Sequence, residues 1–398
     1  MLVRLLAVLN RSFDSGPFGA SVRLGTIAAV VGAGITFMNQ ARCDDGDRPI
    51  VRIATYNVSL YGKQAGEIKH RLASGHSHQA MKIARVVQSV RPDILLVNEI
   101  DYDESGETAA LLAEKYFATA MNGSTPIEYP FIYAIESNTG VDSSLDLNSN
   151  SQFGEPNDRW GYGIYPGQYA MAVFSRFPIA EEQIRTFRKF KWCDLPGAIR
   201  PVDPDTGEPY YRDPVWQRLR LSSKNHADVP IRVGDSLIHV LASHPTPPVF
   251  DGPADHNGCR NHDEIAFWKH YIGSDTNGLV DDNGEAGGIA ADASFVIMGD
   301  LNSDPNAGDS NRQAIVDLLA DQRIQDPRPT SPGAAQSGRG DETAAFGRDR
   351  QLRVDFVVPS ADLNVRRSGV FWPQKENPKR EWISASDHRL VWIEVQLP

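Results

Sequence analysis

Short apolar segments, each ending in a polar side chain, recur along this sequence and constrain its fold more than any other feature. The first two occupy residues 51–57 and 93–99 and end at Asn57 and Glu99. Their length and β-branched residues predict strands. Residues 80–90 place apolar side chains at helical spacing, so this region is predicted to be a strand, a helix and a strand.

The same alternation continues to the C-terminus, with helices predicted over residues 263–272 and 314–320 and a hairpin around Gly234 and Asp235. Strands that alternate with helices, together with hairpins, indicate an α/β sandwich with mixed sheets. The further strands are predicted over residues 169–175, 231–233, 237–244, 295–299, 353–358 and 390–395. The polar segments between them, residues 136–168, 191–229, 273–293 and 326–350, are predicted to be long loops.

Residues 1–48 are predicted to be a signal or anchor segment with a linker, and residues 49–398 to be one folded domain. An uncharged run over residues 24–38 follows basic residues and has the length of a signal-peptide core rather than of a membrane span. We therefore expect export to the periplasm or the extracellular space, with a retained N-terminal anchor as the alternative. No other membrane-spanning segment is expected.

The cysteines and the net charge exclude some chemistries. Cys43, Cys193 and Cys259 lack the paired spacing of a zinc site. In an exported chain Cys193 and Cys259 would be free to form a disulfide, and two unpaired thiols are the alternative. The formal net charge of −11 argues against a broad basic surface for nucleic acid.

Polar residues at or near the ends of the predicted strands form a candidate site, because strand ends are where α/β sheets gather their sites. Carboxylates are the ligands that Mg²⁺ or Mn²⁺ prefers, and histidines beside aspartates supply acid–base function near neutral pH. Amides can donate to phosphate oxygens. Together these groups meet the needs of phosphoester hydrolysis. The set comprises Asn57, Glu99, His244, Asp300, Asn302, Asp355, Asp387 and His388.

Six segments that carry these residues occur in the order seen in the endonuclease/exonuclease/phosphatase superfamily, which the chain resembles from about residue 49 to its end. The resemblance implies a four-layer α/β sandwich, with two mixed sheets packed face to face and helices on the outside. It also implies one metal-dependent site at the strand ends. The segments are Ile-Ala-Thr-Tyr-Asn-Val at 53–58, Asp-Ile-Leu-Leu-Val-Asn-Glu at 93–99, Leu-Ala-Ser-His at 241–244, Ile-Met-Gly-Asp-Leu-Asn-Ser-Asp at 297–304, Val-Asp-Phe-Val-Val-Pro-Ser at 354–360 and Ser-Asp-His at 386–388.

The resemblance implies ligands for a metal and a phosphate. Glu99 matches the principal metal ligand, Asn57 an asparagine that helps to hold metal and phosphate, and Asp387 an aspartate that can bind a second metal. The expected cofactor is a divalent cation, Mg²⁺ in the first place, with Mn²⁺ or Ca²⁺ as alternatives. Asn302 matches the phosphate-binding amide. Tyr169 matches a phosphate contact, with a core-facing tyrosine as the alternative.

The resemblance also implies the groups that move protons. Asp300 matches the aspartate near the attacking water. His388 matches a histidine that acts as general base or transition-state stabiliser, with Asp355 orienting it. His244 matches a second histidine, a candidate general acid for the leaving oxygen.

The expected function is hydrolysis of a phosphomonoester or small phosphodiester by a monomeric enzyme. An extracellular nuclease and a catalytically silent binding module are the alternatives. The resembled deoxyribonucleases carry a basic residue two positions after the metal glutamate, where this chain has Asp101. An acidic group beside the site would repel a polyanion, unless its loop turns away. Residues 185–191 interleave basic and aromatic side chains, which fits either a nucleic-acid contact or a strand with a solvated basic face.

Overall fold

Two large mixed sheets form the centre of the molecule. The structure, a computed structural model, describes residues 42–43, 49–121, 123–274, 276, 278–347 and 349–398. The predicted signal segment and linker lie outside these residues, except for the backbone at 42–43. The strands are β1 (Arg42–Cys43), β2 (Pro49–Leu60), β3 (Ile94–Ile100), β4 (Phe131–Ile135), β5 (Ala170–Ser175), β6 (Arg185–Thr186), β7 (His226–Val233), β8 (Ser236–Ser243), β9 (Ser294–Asp300), β10 (Ala344–Ala345), β11 (Gln351–Leu352), β12 (Asp355–Pro359), β13 (Asn364–Val370) and β14 (Val391–Gln396).

Both sheets combine parallel and antiparallel neighbours. The first has the order β13-β14-β2-β3-β5-β4, with β1 paired to β2, and the second has the order β12-β9-β8-β7-β6. Only the β2–β3 and β8–β9 pairs are parallel in these sheets as described. A separate two-stranded hairpin is formed by β10 and β11. The mixed sheets confirm the predicted fold class.

Helices cover the outer face of each sheet. The second helix begins where the Ser77 hydroxyl accepts from the backbone of Ala80, and it ends before Pro92, where Arg91 takes the left-handed conformation. The helices in the described residues are α1 (Glu67–Ala73), α2 (His78–Val90), α3 (Glu107–Leu112, continued by a π-helical turn at Ala113–Phe117), α4 (Asp213–Trp216), α5 (His256–Ile272), α6 (Gln313–Leu319) and α7 (Pro332–Ala335), with 3₁₀ turns at Pro156–Asp158, Glu181–Gln183, Trp192–Asp194 and Pro378–Ala385.

Successive side chains of each central strand pack in different cores, because alternate residues of a strand point to opposite faces of the sheet. In β2, Ile53 belongs to the core between the sheets, which also contains Val240 of β8. Its neighbour Ala54 belongs to the core beneath α1, α2 and α3. A third core joins the outer face of the second sheet, including Phe295, to α5 and α6, including Trp268. These layers confirm the predicted four-layer sandwich.

Buried charged residues of α5 hold the long loops in place. Arg260 donates to the carbonyls of Trp160 and Leu221. Asp263 accepts from the indole of Trp192 at 2.6 Å, and Glu264 accepts from the backbone of Ser223 at 2.6 Å. Charged groups that are buried require such partners. Both tryptophans belong to the core, so they cover it instead of facing a substrate.

Several predicted boundaries and contacts differ from the structure. Helix α5 begins at His256, so His262 lies within the helix and not at its start. The predicted loop over 191–229 ends earlier, because β7 begins at His226. Cys193 and Cys259 are separate thiols, so the disulfide is absent from the described residues. No helix among the residues described is long and apolar enough to cross a membrane.

Candidate active site

Two irregularities at the ends of β2 and β3 position the first site residues. The β2–β3 pairing shifts register between Asn57 and Leu60, so β2 continues past Asn57, where the sequence predicted its end. The β3–β5 pairing shifts on either side of Glu99. Ser59 and Glu99 have φ angles of 47° and 59°. Bulges redirect side chains, and left-handed non-glycine residues concentrate at functional sites, where the fold compensates for their strain.

The second sheet supplies the opposing residues. Asp300 ends β9 and pairs with Asp355, the first residue of β12. Gly299 precedes Asp300, and a Cβ at this position would lie 1.9 Å from the Ser243 carbonyl oxygen. Only glycine therefore permits β8 to approach β9 this closely, which brings His244 next to Asp300.

Three side chains converge on one carboxylate oxygen. Asn57 Nδ2 donates to Asp300 Oδ2 at 3.0 Å and to Glu99 Oε1 at 3.0 Å. His244 Nε2 and His388 Nε2 each lie 3.6 Å from the same Asp300 oxygen. Glu99 Oε1 is also 3.9 Å from His244 Nε2. The structure thus joins residues that are far apart in the sequence into one centre.

His388 is held in its charged form by aspartates. Its Nδ1 lies 2.9 Å from Asp355 Oδ2, and its backbone N–H donates to Ser386 Oγ at 3.0 Å. Burial disfavours the charged imidazole, but Asp355 and Asp300 outweigh this and raise the pKa of His388 to about 10. Burial also raises the pKa of Asp300 to about 7, and the Asp355 and Glu99 carboxylates add to the increase.

His244 has the opposite environment. Its Nδ1 is buried and has no hydrogen-bond partner among the described residues. Burial lowers the pKa of His244 well below its usual value, and the nearby cations Lys224 and His388 lower it further. A neutral imidazole carries a single N–H, so His244 can donate a hydrogen bond from Nε2 but is not held as a cation.

The other predicted ligands of a phosphate or a metal surround this centre. Asn302 has a φ of 53°, and its Nδ2 donates to the Pro245 carbonyl at 3.1 Å. Asp387 is exposed and accepts from Ser59 Oγ at 3.0 Å. Tyr169 is half-buried and packs on Tyr61 with ring centroids 4.6 Å apart, and burial raises its pKa to about 12. The roles of these residues remain predictions.

The carboxylates and histidines fit a divalent cation. Ligand atoms of Glu99, His244 and Asp300 lie within 4.8 Å of one another, and so do those of Asp300, Asp355 and His388. Burial raises the pKa of Glu99 as well as that of Asp300, so both are carboxylates largely removed from water. Hard oxygen ligands in this state are suited to Mg²⁺ or Mn²⁺.

A cavity of about 320 Å³ opens onto the centre. Glu99, Asp300, Asp387, His388 and Arg350 all line it. The sequence analysis missed Tyr61, Phe250, Phe346 and Arg350, which also line the cavity. They lie outside the six motifs, so their position depends on how the loops fold.

The features that bear on nucleic-acid binding are mostly engaged in internal contacts. Asp101 is buried and accepts from Tyr165 Oη at 2.6 Å, so its carboxylate turns away from the cavity. Arg185 pairs with Asp281 at 2.8 Å, and Arg188 pairs with Glu136 at 2.9 Å. Residues 185–191 contribute only the two-residue strand β6, so the strand alternative for this segment holds only at its start.

The topology and the site define a class of α/β sandwich with a carboxylate–histidine centre at the strand ends. The sequence model of the Endonuclease/Exonuclease/phosphatase family matches residues 54–388. The chain therefore belongs to this family, as its motifs predicted. Members of the family are typically hydrolases that act on phosphoester bonds, usually with divalent cations.

Solved structures with the same fold share little sequence with this chain. An endonuclease/exonuclease/phosphatase from Beutenbergia cavernae DSM 12333 is 17% identical, with a TM-score of 0.49 over 88% of this chain and 72% of that one. Sphingomyelinase C from Streptomyces griseocarneus is 15% identical, with a TM-score of 0.46 over 88% and 100%. Truncated Caenorhabditis elegans TDP2 is 13% identical, with a TM-score of 0.42 over 87% and 97%. No curated protein sequence matches this chain significantly.

Proposed function

We propose that this protein hydrolyses small phosphoesters, either monoesters or diesters, with the help of a divalent cation. The observation that carries the proposal is the convergence of Asn57, His244 and His388 on Asp300 Oδ2. One carboxylate oxygen surrounded by an amide and two imidazoles is an arrangement that can handle both a water molecule and a phosphoryl group.

Glu99 would hold the cation, with Asp387 and Asn57 beside it, while Asp300 stays free to take up a proton. When bound, a divalent cation polarises the phosphoryl oxygens and neutralises the charge that develops on them. Asp300 is the acceptor for the proton of the attacking water, because its pKa of about 7 matches a base that works near neutral pH.

The two histidines and Asn302 stabilise negative charge. His388 is cationic because its pKa is about 10, so it acts as a donor and charge stabiliser and not as the general base. His244 donates a hydrogen bond as a neutral imidazole, which replaces the general-acid role that its position suggested. Asn302 contributes its amide to the phosphoryl oxygens once its bond to the Pro245 carbonyl is exchanged.

A small substrate fits the charges and the space better than a nucleic acid does. The cavity measures about 320 Å³, and acidic residues dominate its charged lining. The net charge of −11 opposes the approach of a polyanion. We further propose that the protein is exported and acts as a monomer, based on the apolar run over residues 24–38 and on the fact that one chain supplies every residue of the centre.

The test uses purified protein with Mg²⁺, Mn²⁺ or Ca²⁺ on three substrates: p-nitrophenyl phosphate, bis-p-nitrophenyl phosphate and plasmid DNA. We expect at least one of the small esters to be hydrolysed in the presence of the metal, and we expect a chelator to abolish this hydrolysis. Activity that a chelator leaves unchanged would refute the metal mechanism. Cleavage of DNA without turnover of either ester would establish the nuclease alternative.

The variant His388→Ala serves as the control for the site. We expect its turnover to fall to the level without added metal, while its circular dichroism spectrum and its melting temperature stay close to those of the wild type. Full activity in this variant would show that the catalytic centre lies elsewhere.

A further inference from the structure

Two side chains of a short hairpin line the cavity that opens onto the catalytic centre. Strands β10 and β11 form this hairpin, and the Phe346 N–H donates to the Arg350 carbonyl at 2.8 Å. Both residues line the cavity at the turn of the hairpin. The hairpin is therefore part of the site, although none of its residues belongs to the six sequence motifs.

The hairpin is fixed to the catalytic segment by backbone contacts. The Ala345 N–H donates to the Asp387 carbonyl at 2.8 Å, and the Arg389 N–H donates to the Thr343 carbonyl at 2.8 Å. The Phe346 ring lies edge-on to the His388 imidazole, with centroids 5.4 Å apart. These contacts on both sides of His388 place the hairpin at a defined position relative to His388.

Arg350 is the only lysine or arginine among the described residues that line this cavity. Within the described part of the chain, its guanidinium has one partner, Asp309, at 2.5 Å. The two side chains are 45% and 59% exposed. Exposed ion pairs contribute little to stability, so an anionic ligand can replace Asp309 at little cost.

Apolar side chains that line the cavity with Arg350 strengthen its contact with an anion. Phe346, Leu352 and Val354 form an apolar wall of the cavity beside it. Apolar walls exclude water and strengthen charge-assisted hydrogen bonds, and a guanidinium offers paired donors to carboxylate or phosphate oxygens. The centre at the same cavity carries carboxylates and repels a free anion, unless the cation neutralises it.

We propose that Arg350 recognises a second anionic group of the substrate. The substrate is then an organic phosphoester that also carries a phosphate or a carboxylate, separated from the scissile phosphate by an apolar body. The proposal rests on the proposed function, because it assumes that the reacting phosphate binds at Glu99 and Asp300. It assigns Arg350 to specificity and not to the chemical step.

The test measures Kd values of alkylphosphonates by calorimetry on the metal-loaded full chain. The ligands form a series of graded chain length, and the far end is a methyl group, a carboxylate or a second phosphonate. We expect an anionic end to tighten binding by about tenfold at the best chain length. A preference for the carboxylate or for the phosphonate identifies which group the substrate carries.

Arg350→Gln should abolish this preference and leave the affinity for the methyl-ended ligand unchanged. Arg350→Lys should restore only part of it, because a lysine keeps the charge but loses the paired donors. Asp309→Asn should strengthen it, because the competing carboxylate is gone. The matched control is Arg232→Gln, since Arg232 forms a comparably exposed pair with Glu182 (46% and 65%) and does not line the cavity.

Equal Kd values for methyl-ended and anionic ligands in the wild type would overturn the assignment of Arg350. A loss of the preference in Arg232→Gln as large as in Arg350→Gln would do the same. Failure of the proposed function has a different signature, because neither p-nitrophenyl ester would be hydrolysed with any cation. The binding data would still decide the role of Arg350 in that case.

Discussion

The two histidines of the centre lie at the same distance from Asp300 but in opposite environments. His388, on the side of β12 and β14, pairs through Nδ1 with Asp355, and its pKa rises to about 10. His244, on the side of β8, has no partner at Nδ1 among the described residues, and its pKa falls well below the usual value. Both Nε2 atoms are 3.6 Å from Asp300 Oδ2.

Burial alone therefore does not set the charge of a histidine. Both rings are almost fully buried, with exposed fractions of 3% for His388 and 2% for His244. Burial lowers the pKa in each case, and only a carboxylate in direct contact reverses the effect. The centre therefore combines a cationic donor on one side with a neutral donor on the other.

The largest effect is expected for Asp355→Asn, which makes the environment of His388 resemble that of His244. The amide keeps the size of the side chain but removes the charge that holds the imidazolium. We expect kcat to fall on the order of 10³-fold. The alkaline limit of kcat, set in the wild type by loss of the His388 proton near pH 10, should move to lower pH.

Imidazole resonances followed by NMR through a pH titration would measure the pKa of His388 directly in both proteins. An unchanged pKa in Asp355→Asn would contradict the role of Asp355. A lower pKa with unchanged kcat would show instead that the charge of His388 does not matter for catalysis.

A smaller effect is expected for His244→Ala. Loss of one neutral donor to a phosphoryl oxygen should lower kcat on the order of 10²-fold. If His244 only donates a hydrogen bond, the loss should be similar for p-nitrophenyl esters and for esters with poorer leaving groups. If the loss of kcat instead grows steeply for esters with poorer leaving groups, His244 transfers a proton. In that case His244→Gln should restore none of the kcat lost in His244→Ala.

The smallest effect is expected for His226, a buried histidine outside the catalytic centre. It tests the effect of burial on a pKa without any contribution from catalysis. His226 lies in β7, contacts Phe267 and Trp268, and places Nε2 2.7 Å from the Glu264 carbonyl oxygen. Burial lowers its pKa from 6.5 to about 4. The unfolded chain therefore binds more protons between these values, and the free energy of unfolding falls as the pH drops from about 6.5 toward about 4.

Denaturant titrations at several pH values would measure this contribution. The wild type should lose roughly 2 kcal/mol between about pH 7 and about pH 5 through this residue alone. His226→Phe should lack that part of the pH dependence, whatever its stability at neutral pH. Equal slopes in the two proteins would show that burial does not lower the pKa of this histidine.

Much of the fold follows from local patterns. The helix over 80–90 and the hairpin around Gly234 are formed within a few residues of the prediction, because apolar spacing and turn residues act over short distances. Helices α1 and α3 and strands β4 and β13 escaped prediction. Each of them packs against a neighbouring element. Its stability therefore comes from tertiary packing and not from the apolar spacing of its own residues.

The sequence alone indicated the family and the residues of the centre, because six motifs place the expected chemical groups at or near the ends of strands. It could not determine which histidine carries a charge, because only the contact of His388 with Asp355, a residue distant in the sequence, separates the two. Nor could it find Arg350, whose position depends on a hairpin pinned to the segment around His388. Contacts between residues distant in sequence exist only after the sheets have packed, so the tertiary structure decided the charges of the site and the shape of its cavity.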